Sequence, residues 1–119
     1  MTTISISTEV RDTLASNGAV VALESTIFSN LGLPSPANAQ ALSSCIAVIR
    51  KAGAVPAITA VIDGVARVGL NESEHERILG PAKKAGEREL ALAIAQQWSV
   101  GATTVSASLL LAARAGIGV

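Results

Sequence analysis

The apolar positions of this chain predict strands and helices in alternation. Continuous apolar runs at residues 19–24 and 54–62 are typical of short strands that are buried on both faces. Capping residues and helical spacing predict five helices, at residues 7–18, 35–53, 71–79, 87–98 and 105–116. Strands that alternate with helices predict an α/β domain with three layers, α-β-α, around a mostly parallel sheet.

Capping residues place the starts of three of these helices. Ser7 or Thr8 can cap the first helix, because a hydroxyl oxygen accepts an N–H group that a helix start leaves unpaired. Ser35 is the expected N-cap of the second helix, with Pro36 at its first position. Asn71 is the expected cap of the third helix.

Turn and loop signals separate the remaining elements. Asp63-Gly64 is a tight-turn signal, so residues 65–70 are expected to pair back as the second arm of a hairpin. The segment "GPAKKAG" (80–86) is predicted to be a loop, and "GATT" (101–104) to separate two elements. The helix at 105–116 is apolar or small nearly all round and is therefore expected to be buried.

The final residues and the low charge content bear on the domain's extent. The last three residues, "IGV", resemble the start of a core strand, at the short limit of strand length. Charged residues make up 15% of the chain, which is low for a small monomer and predicts either subunit association or a missing part. We interpret residues 1–119 as the N-terminal part of a single larger domain, truncated at its C-terminus.

The composition argues against several classes of partner. The formal net charge is zero and no basic run occurs, so electrostatic binding to nucleic acid is not expected. The most apolar run contains Arg114 and is too short to span a bilayer, and the first residues lack the features of a secretory signal. A single cysteine, Cys45, fits a reducing compartment. We expect a cytoplasmic protein without membrane contact.

Glu24 is unusual because a carboxylate directly follows an apolar strand. Ligand sites of open α/β sheets lie beyond the carboxyl ends of strands, which is where Glu24 is placed. The apolar residues that precede Glu24 would partly desolvate its carboxylate, which suits a proton donor. The alternative is that Glu24 caps the next turn by accepting backbone N–H groups.

Two further segments could bind an anion. Lys83 and Lys84 lie together between glycines, where they could hold a phosphate or simply form a solvated loop. "GATT" leaves backbone N–H groups available at the start of the following helix, which suits anions. The alternative there is ordinary capping by Thr103 or Thr104.

Two other features favour structural interpretations. His75 stands among three glutamates in "ESEHE", but residues at such spacings do not converge on a helix surface, and a solvated helix face is expected. Cys45 lies on an apolar stripe, which favours a core position over a nucleophile.

Taken together, several motifs resemble the pseudouridine-5′-phosphate glycosidases, also called the indigoidine-synthase-A-like proteins. The matching segments, in the family's order, are "VALESTI", "GLPSPAN", "GAVPA", "AVIDG" followed by "VGL", "KKAGEREL", "GATTVSAS" and "AARAGIGV". They cover nearly all of residues 20–119. One such match would be weak, whereas the ordered set is specific.

The resemblance implies the reversible conversion of pseudouridine 5′-phosphate and water to uracil and ribose 5-phosphate. The bond broken is C–C, so an electron sink is needed; in the family a lysine amine forms an imine with the opened ribose. A glutamate assists as proton donor. A divalent metal, typically Mn²⁺, helps to position the uracil through water molecules anchored on an aspartate. The family also implies a homo-oligomer.

Residue by residue, the resemblance assigns three roles in this chain. Glu24 of "ALESTI" matches the family's proton donor. Lys84 of "KKAGEREL" matches a substrate-binding lysine, with Lys83 as the alternative register. Val105 matches a substrate contact. Gly86 stands where the family usually has a serine, and "SNLG" replaces a histidine-glycine pair after "ESTI".

Two functional positions of the family have no match in this chain. The metal-binding aspartate and the imine-forming lysine lie beyond the strand that begins at "IGV", so no metal ligand is expected within residues 1–119. Half of an active site is therefore implied. The alternative function is a non-enzymatic remnant that binds a sugar phosphate or a full-length relative.

Overall fold

The computed structural model describes residues 4–118, which form six strands and five helices. The strands are β1 (Ser5–Ile6), β2 (Val20–Leu23), β3 (Val55–Ile62), β4 (Val65–Val68), β5 (Lys83–Ala85) and β6 (Val100–Thr103). The helices are α1 (Thr8–Ala15), α2 (Ala37–Lys51), α3 (Glu72–Ile78), α4 (Leu90–Ala95) and α5 (Val105–Ala115). Single 3-10 turns cover Thr26–Phe28 and Glu87–Glu89.

All six strands belong to one mixed sheet built around β3. Its main order is β1-β4-β3-β6-β5, and β2 also pairs with β3. The pairs β1–β4, β2–β3 and β5–β6 are parallel, whereas β3–β4 and β3–β6 are antiparallel. The β3–β4 pair is the predicted hairpin, closed at Asp63-Gly64 with Ile62 opposite Val65.

β2 and β6 pair with successive halves of β3. β2 lies along residues 55–58 and runs parallel to them, whereas β6 lies along residues 60–62 and runs the opposite way. The carboxyl ends of the two strands therefore meet, and the Ser25 N–H donates to the Thr103 carbonyl at 3.2 Å. The loops that follow β2 and β6 leave the sheet at this junction.

Helices cover both faces of the sheet, as the three-layer prediction requires. Val61 of β3 belongs to a core that includes Val10 of α1, Leu90 of α4 and Leu111 of α5. Residues of α2 and α3 pack on the other face, where Ile58 belongs to a second core. The alternation of side chains along β3 thus divides it between two cores, and the predicted α/β class is confirmed.

The helix starts agree with the predicted caps in two of three cases. Ser7 caps α1 by accepting the Val10 N–H at 3.2 Å, and Asn71 caps α3. The prediction for α2 was wrong, because Pro36 occupies the N-cap position and no side chain caps this helix. α2 therefore starts at Ala37, one residue later than expected, and Ser35 lies outside it.

Two segments predicted as loops are strands. The lysines of "KKA" form the edge strand β5, and "GAT" lies in β6, all of whose residues are buried. A Cβ on Gly101 would lie 3.1 Å from the Val61 Cβ, so this strand is tightly packed and a larger residue there would require Val61 to shift. β6 consists mostly of small and hydroxyl-bearing residues and lacks the continuous run of branched apolar side chains that indicates a buried strand.

α5 is also not buried all round. Leu111 is completely buried, but Val105 and Leu109 are 63% and 65% exposed. These two exposed residues are four positions apart and lie on one face of the helix. Among residues 4–118, no helix is long and apolar enough to cross a membrane.

Candidate functional site

Three strands deliver their carboxyl ends to one region of the molecule. β5 runs parallel to β6 with Ala85 opposite Thr103, and β2 meets β6 through the bond between Ser25 and Thr103. The residues that follow these strands include Glu24, Gly86 and Thr104. α5 starts at the same place, because it follows β6 directly.

Glu24 lies at the predicted position, immediately after β2. Its carboxylate accepts the Thr26 N–H at 3.0 Å and the Ile27 N–H at 3.3 Å, which is the capping arrangement considered from the sequence. The side chain is partly buried. It also lines a groove of 270 Å³ together with Val105 and Leu109. The structure thus brings Glu24 and Val105 together.

A buried hydroxyl network fixes the junction behind Glu24. The Thr59 hydroxyl lies 2.8 Å from the Thr103 hydroxyl, 2.9 Å from the Ser108 hydroxyl and 3.1 Å from the Leu23 carbonyl. Ser25 joins the network by accepting the Thr103 N–H at 2.9 Å. All of these side chains are buried except Leu23, which is partly buried. They connect β2, β3, β6 and α5 at the site.

Sequence reasoning did not identify this network. Thr59 interrupts the apolar run of β3, and Thr103 lies within "GATT". The presence of a threonine in each of two buried strands could have indicated the network, because a buried hydroxyl needs a hydrogen-bond partner.

The two neighbouring lysines point to different places. Lys83 and Lys84 are adjacent in β5, so their side chains lie on opposite faces. The Lys83 ammonium lies 5.0 Å from the ring centroid of Trp98. Lys84 instead lines a cleft of 710 Å³ with Gly86, Arg88 and Thr104, among other residues. The structure therefore places Lys83 and Lys84, the two alternatives that the sequence left open, in different surroundings.

The cleft at Lys84 adjoins the first turn of α5. The Thr104 hydroxyl caps this helix by accepting the Ala107 N–H at 3.4 Å, and Thr104 and Ser106 line the cleft. At its other side, the Glu89 carboxylate accepts the Gly86 N–H at 3.0 Å. Two cations, Lys84 and Arg88, and a helix N-terminus could attract an anion here, opposed by Glu87 and Glu89 on the cleft wall.

Glu24 and Lys84 line two separate openings. The Glu24 groove includes Val105 and Ser108, and the Lys84 cleft includes Thr104 and Ser106. The first turn of α5 therefore lies between the two openings, and its residues line one opening or the other.

α3 differs from the solvated face that was predicted for "ESEHE". Glu74 is buried, and its carboxylate accepts a hydrogen bond from Arg67 and also the Asn71 N–H. Burial lowers the pKa of His75 below its ordinary value of 6.5, although the neighbouring Glu72 and Glu74 act in the opposite direction. The polar residues of α3 thus help to anchor it to the sheet.

Cys45 has structural surroundings. Cys45 is partly buried and packs against the second core, as the apolar stripe indicated. Among the described residues, no group of three His, Cys, Asp or Glu side chains could hold a metal ion. The side chains of residues 4–118 therefore do not fit a Mn²⁺ site by themselves.

Comparison with known proteins identifies relatives of the whole segment. The family described as indigoidine synthase A like protein matches residues 9–119. The pseudouridine-5′-phosphate glycosidase of Streptomyces griseus is 53% identical over 116 residues, which are 96% of this chain and 35% of that protein. The Escherichia coli protein of the same name is 46% identical over 118 residues, which are 96% of this chain and 37% of that protein. This chain thus spans about a third of the length of the curated relatives that it matches.

Two solved structures share the fold. The prealnumycin C-glycosynthase AlnA, solved in complex with ribulose 5-phosphate, superposes with a TM-score of 0.80 at 32% identity, over 100% of this chain and 38% of that chain. An indigoidine synthase A-like protein of Thermotoga maritima superposes with a TM-score of 0.81 at 30% identity, over 98% of this chain and 37% of that chain. On the ordered motifs, the mixed sheet and these matches, the chain belongs to the indigoidine synthase A-like family.

Proposed function

We propose that this chain carries one side of an active site that interconverts pseudouridine 5′-phosphate with uracil and ribose 5-phosphate. The observation that carries the proposal is that the Glu24 groove and the Lys84 cleft adjoin the first turn of α5 from its two sides. The names of the relatives from Streptomyces griseus and Escherichia coli supply the reaction. The sugar phosphate bound in the AlnA structure supports the substrate class.

Glu24 is the proposed proton donor. Its carboxylate is held by two backbone N–H groups, which fixes the side chain beside the groove that Val105 also lines. A positioned carboxyl group of this kind contributes about a hundred- to ten-thousand-fold to a rate by general acid catalysis. In this proposal Glu24 protonates the ribose ring oxygen as the ring opens.

Lys84 and the start of α5 are the proposed phosphate-binding groups. The lysine ammonium supplies a point charge, and the first backbone N–H groups of α5 supply donors that favour an anion. Val105, the first residue of α5, would contact the substrate from the groove side. Gly86, which replaces the family's serine, leaves the Glu89 carboxylate room to approach the backbone.

The remaining chemistry is assigned to polypeptide outside these residues. The imine-forming lysine and the aspartate that anchors Mn²⁺ have no counterpart among the matched motifs. The metal would help to position the uracil when bound. Cytoplasmic localisation and homo-oligomerisation are further parts of the proposal, carried over from the resemblance.

The proposal can be tested in a completed protein. Residues 1–119 would be joined to the remaining sequence of the Streptomyces griseus relative, and uracil release from pseudouridine 5′-phosphate measured. Glu24→Gln should lower kcat at least about a hundredfold with little change in KM, because the amide cannot donate the proton. Lys84→Met should raise KM roughly tenfold, since a charge-assisted bond to phosphate is lost.

Lys83→Met is the matched control for the second variant. It removes the same charge from the same strand, but on the face that contacts Trp98, so KM should stay near that of the parent. Unchanged kcat in Glu24→Gln, or equal effects of the two lysine variants, would contradict the proposed roles.

A second candidate function follows from the capping bonds of Glu24. Those bonds account for a carboxylate at this position without catalysis, as expected of a non-enzymatic remnant. Such a remnant would bind a sugar phosphate or a full-length relative. Calorimetric binding of ribose 5-phosphate to the 119-residue chain, weakened by Lys84→Met, together with full activity of the completed Glu24→Gln protein, would favour it.

A further inference from the structure

One edge of the sheet is open beside the candidate site. Among residues 4–118, β2 pairs with β3 alone. The Val55 N–H donates to the Ala19 carbonyl at 2.9 Å, and Val20 lies opposite Val55. In a parallel ladder this register turns the backbone groups of Val20 and Ala22 away from β3, towards the open edge.

The open edge is flanked by an apolar groove on each face of the sheet. One groove, of 270 Å³, lies between β2 and α5 and is lined by Ala22, Leu23 and Leu109, among others. The other, also of 270 Å³, lies between β2 and α2 and is lined by Leu23 and Val48, among others. Leu109 is 65% exposed and Val48 is 68% exposed. An added strand sends alternate side chains to opposite faces and would fill both grooves.

The edge strand β5, which lies beyond β6 on the same side of β3, is built differently. It carries Lys83 and Lys84. Lysines on an edge strand discourage pairing with another chain. β2 has the sequence VVAL and carries no charge or proline that would do so. Of these two edges, the β2 edge therefore has the character of a surface that is covered in the assembled protein.

We propose that β2 receives a strand from the part of the family's domain that lies outside these 119 residues. The Streptomyces griseus relative provides the length argument, because 35% of it matches this chain and about two thirds remains. The solved relatives extend beyond the matched region to a similar degree. The inference rests on the family assignment and on the strand edge, and not on the proposed reaction. A strand added there lies beside Glu24, so the same polypeptide completes the Glu24 groove.

Hydrogen exchange at single amides of β2 tests this proposal. The 119-residue chain would be produced with a tag, alone and together with the remaining polypeptide of the Streptomyces griseus relative. In the isolated chain the Val20 and Ala22 amides should exchange fast, whereas those of Val21 and Leu23, which face β3, exchange slowly. In the co-purified complex the Val20 and Ala22 amides should slow by on the order of a hundredfold.

Surface variants test the grooves. Leu109→Glu and Val48→Glu should each weaken capture of the second polypeptide at least about tenfold, because each places a charge in an apolar contact. Leu92→Glu is the matched control, since Leu92 is 46% exposed on α4 and lines neither groove, and it should leave capture unchanged.

Three results would overturn the proposal. The first is self-association of the isolated chain with slow Val20 and Ala22 amides, which would make a second copy the occupant. The second is an equal loss of capture in Leu92→Glu. The third is fast exchange of the amides that align with Val20 and Ala22 in the intact Streptomyces griseus relative. This measurement is decisive even if the second polypeptide does not fold by itself.

Discussion

Thr59 lies on β3 at the point where pairing with β2 ends and pairing with β6 begins. Its hydroxyl contacts Thr103 and Ser108 and reaches the Leu23 carbonyl, so one side chain touches three of the elements around the site. A hydroxyl suits this position because two strand ends leave backbone and side-chain groups that the regular ladder cannot pair. Buried polar contacts therefore hold the chain at Leu23 and Ser25, the two neighbours of Glu24.

We expect Thr59→Val to destabilise the 119-residue chain by about 1–3 kcal/mol. Valine has nearly the same shape, but it removes the hydrogen bonds of Thr59 to the Leu23 carbonyl and the Ser108 hydroxyl. The Thr103 hydroxyl keeps Ser25 and the Thr59 carbonyl as partners. Thr8→Val, at an exposed position of α1, is the matched control and should change the free energy of unfolding by less than about 0.5 kcal/mol. Urea unfolding followed by circular dichroism measures both, and equal effects would show that the network contributes nothing.

His75 predicts a pH dependence of stability. Burial lowers its pKa in the folded chain below 6.5, so near that pH the unfolded chain binds the proton more readily than the folded chain. The stabilising contribution of neutral His75 is therefore complete above about pH 6.5 and is lost as the pH falls below it. Because the chain has one histidine, His75→Gln should make the free energy of unfolding less dependent on pH between about 7.5 and 5.5. Identical pH dependence in parent and variant would refute this reading.

At the scale of elements, the sequence predicted those that depend on local signals. Strands β2 and β3 are continuous apolar runs, and the hairpin between β3 and β4 follows from Asp63-Gly64. β5 and β6 were not predicted, because they are strands through their pairing with neighbouring strands and not through the strand preference of their own residues. β6 consists of Val, Gly, Ala and Thr and is held by neighbours on both sides, and β5 pairs with β6.

α5 provides an element-scale prediction from its two faces. Leu111 is completely buried in the core, whereas Leu109 is largely exposed in the isolated chain. Leu111→Ala should therefore cost about 2–5 kcal/mol of the free energy of unfolding, as other buried leucines do. Leu109→Ala should stay within about 0.5 kcal/mol in the same chain. Thermal or urea unfolding separates them, and a large effect of Leu109→Ala would mean that this face is already covered, for instance by a second copy.

At the scale of the molecule, the candidate site was only partly accessible to sequence reasoning. The position of Glu24 at a strand end follows from the apolar run before it, and the structure places it there. The separation of Lys83 from Lys84 could not be predicted, since it requires knowing that "KKA" is a strand. The meeting of β2 with β6 depends on their opposite directions along β3, which the local sequence does not encode.

The 119 residues alone are expected to lack the activity. We expect the purified chain neither to release uracil from pseudouridine 5′-phosphate nor to trap an imine on borohydride reduction. Acid assistance of the kind proposed for Glu24 contributes about a hundred- to ten-thousand-fold to a rate, which is far too little to break a C–C bond without an electron sink. Lys51, Lys83 and Lys84 are the chain's lysines, and none of them matches the motif of the family's imine-forming lysine.

The assay uses Mn²⁺, liquid chromatography to detect uracil, and mass spectrometry to detect a reduced adduct. The completed protein is the positive control, and it should release uracil and form the adduct on a lysine outside residues 1–119. A borohydride-stable adduct on Lys51, Lys83 or Lys84 of the short chain would overturn the prediction and move the covalent chemistry into it. Uracil release without any adduct would instead show that the reaction proceeds without an imine. That result would leave the proposal of an added strand at β2 unaffected, because that proposal does not depend on the reaction.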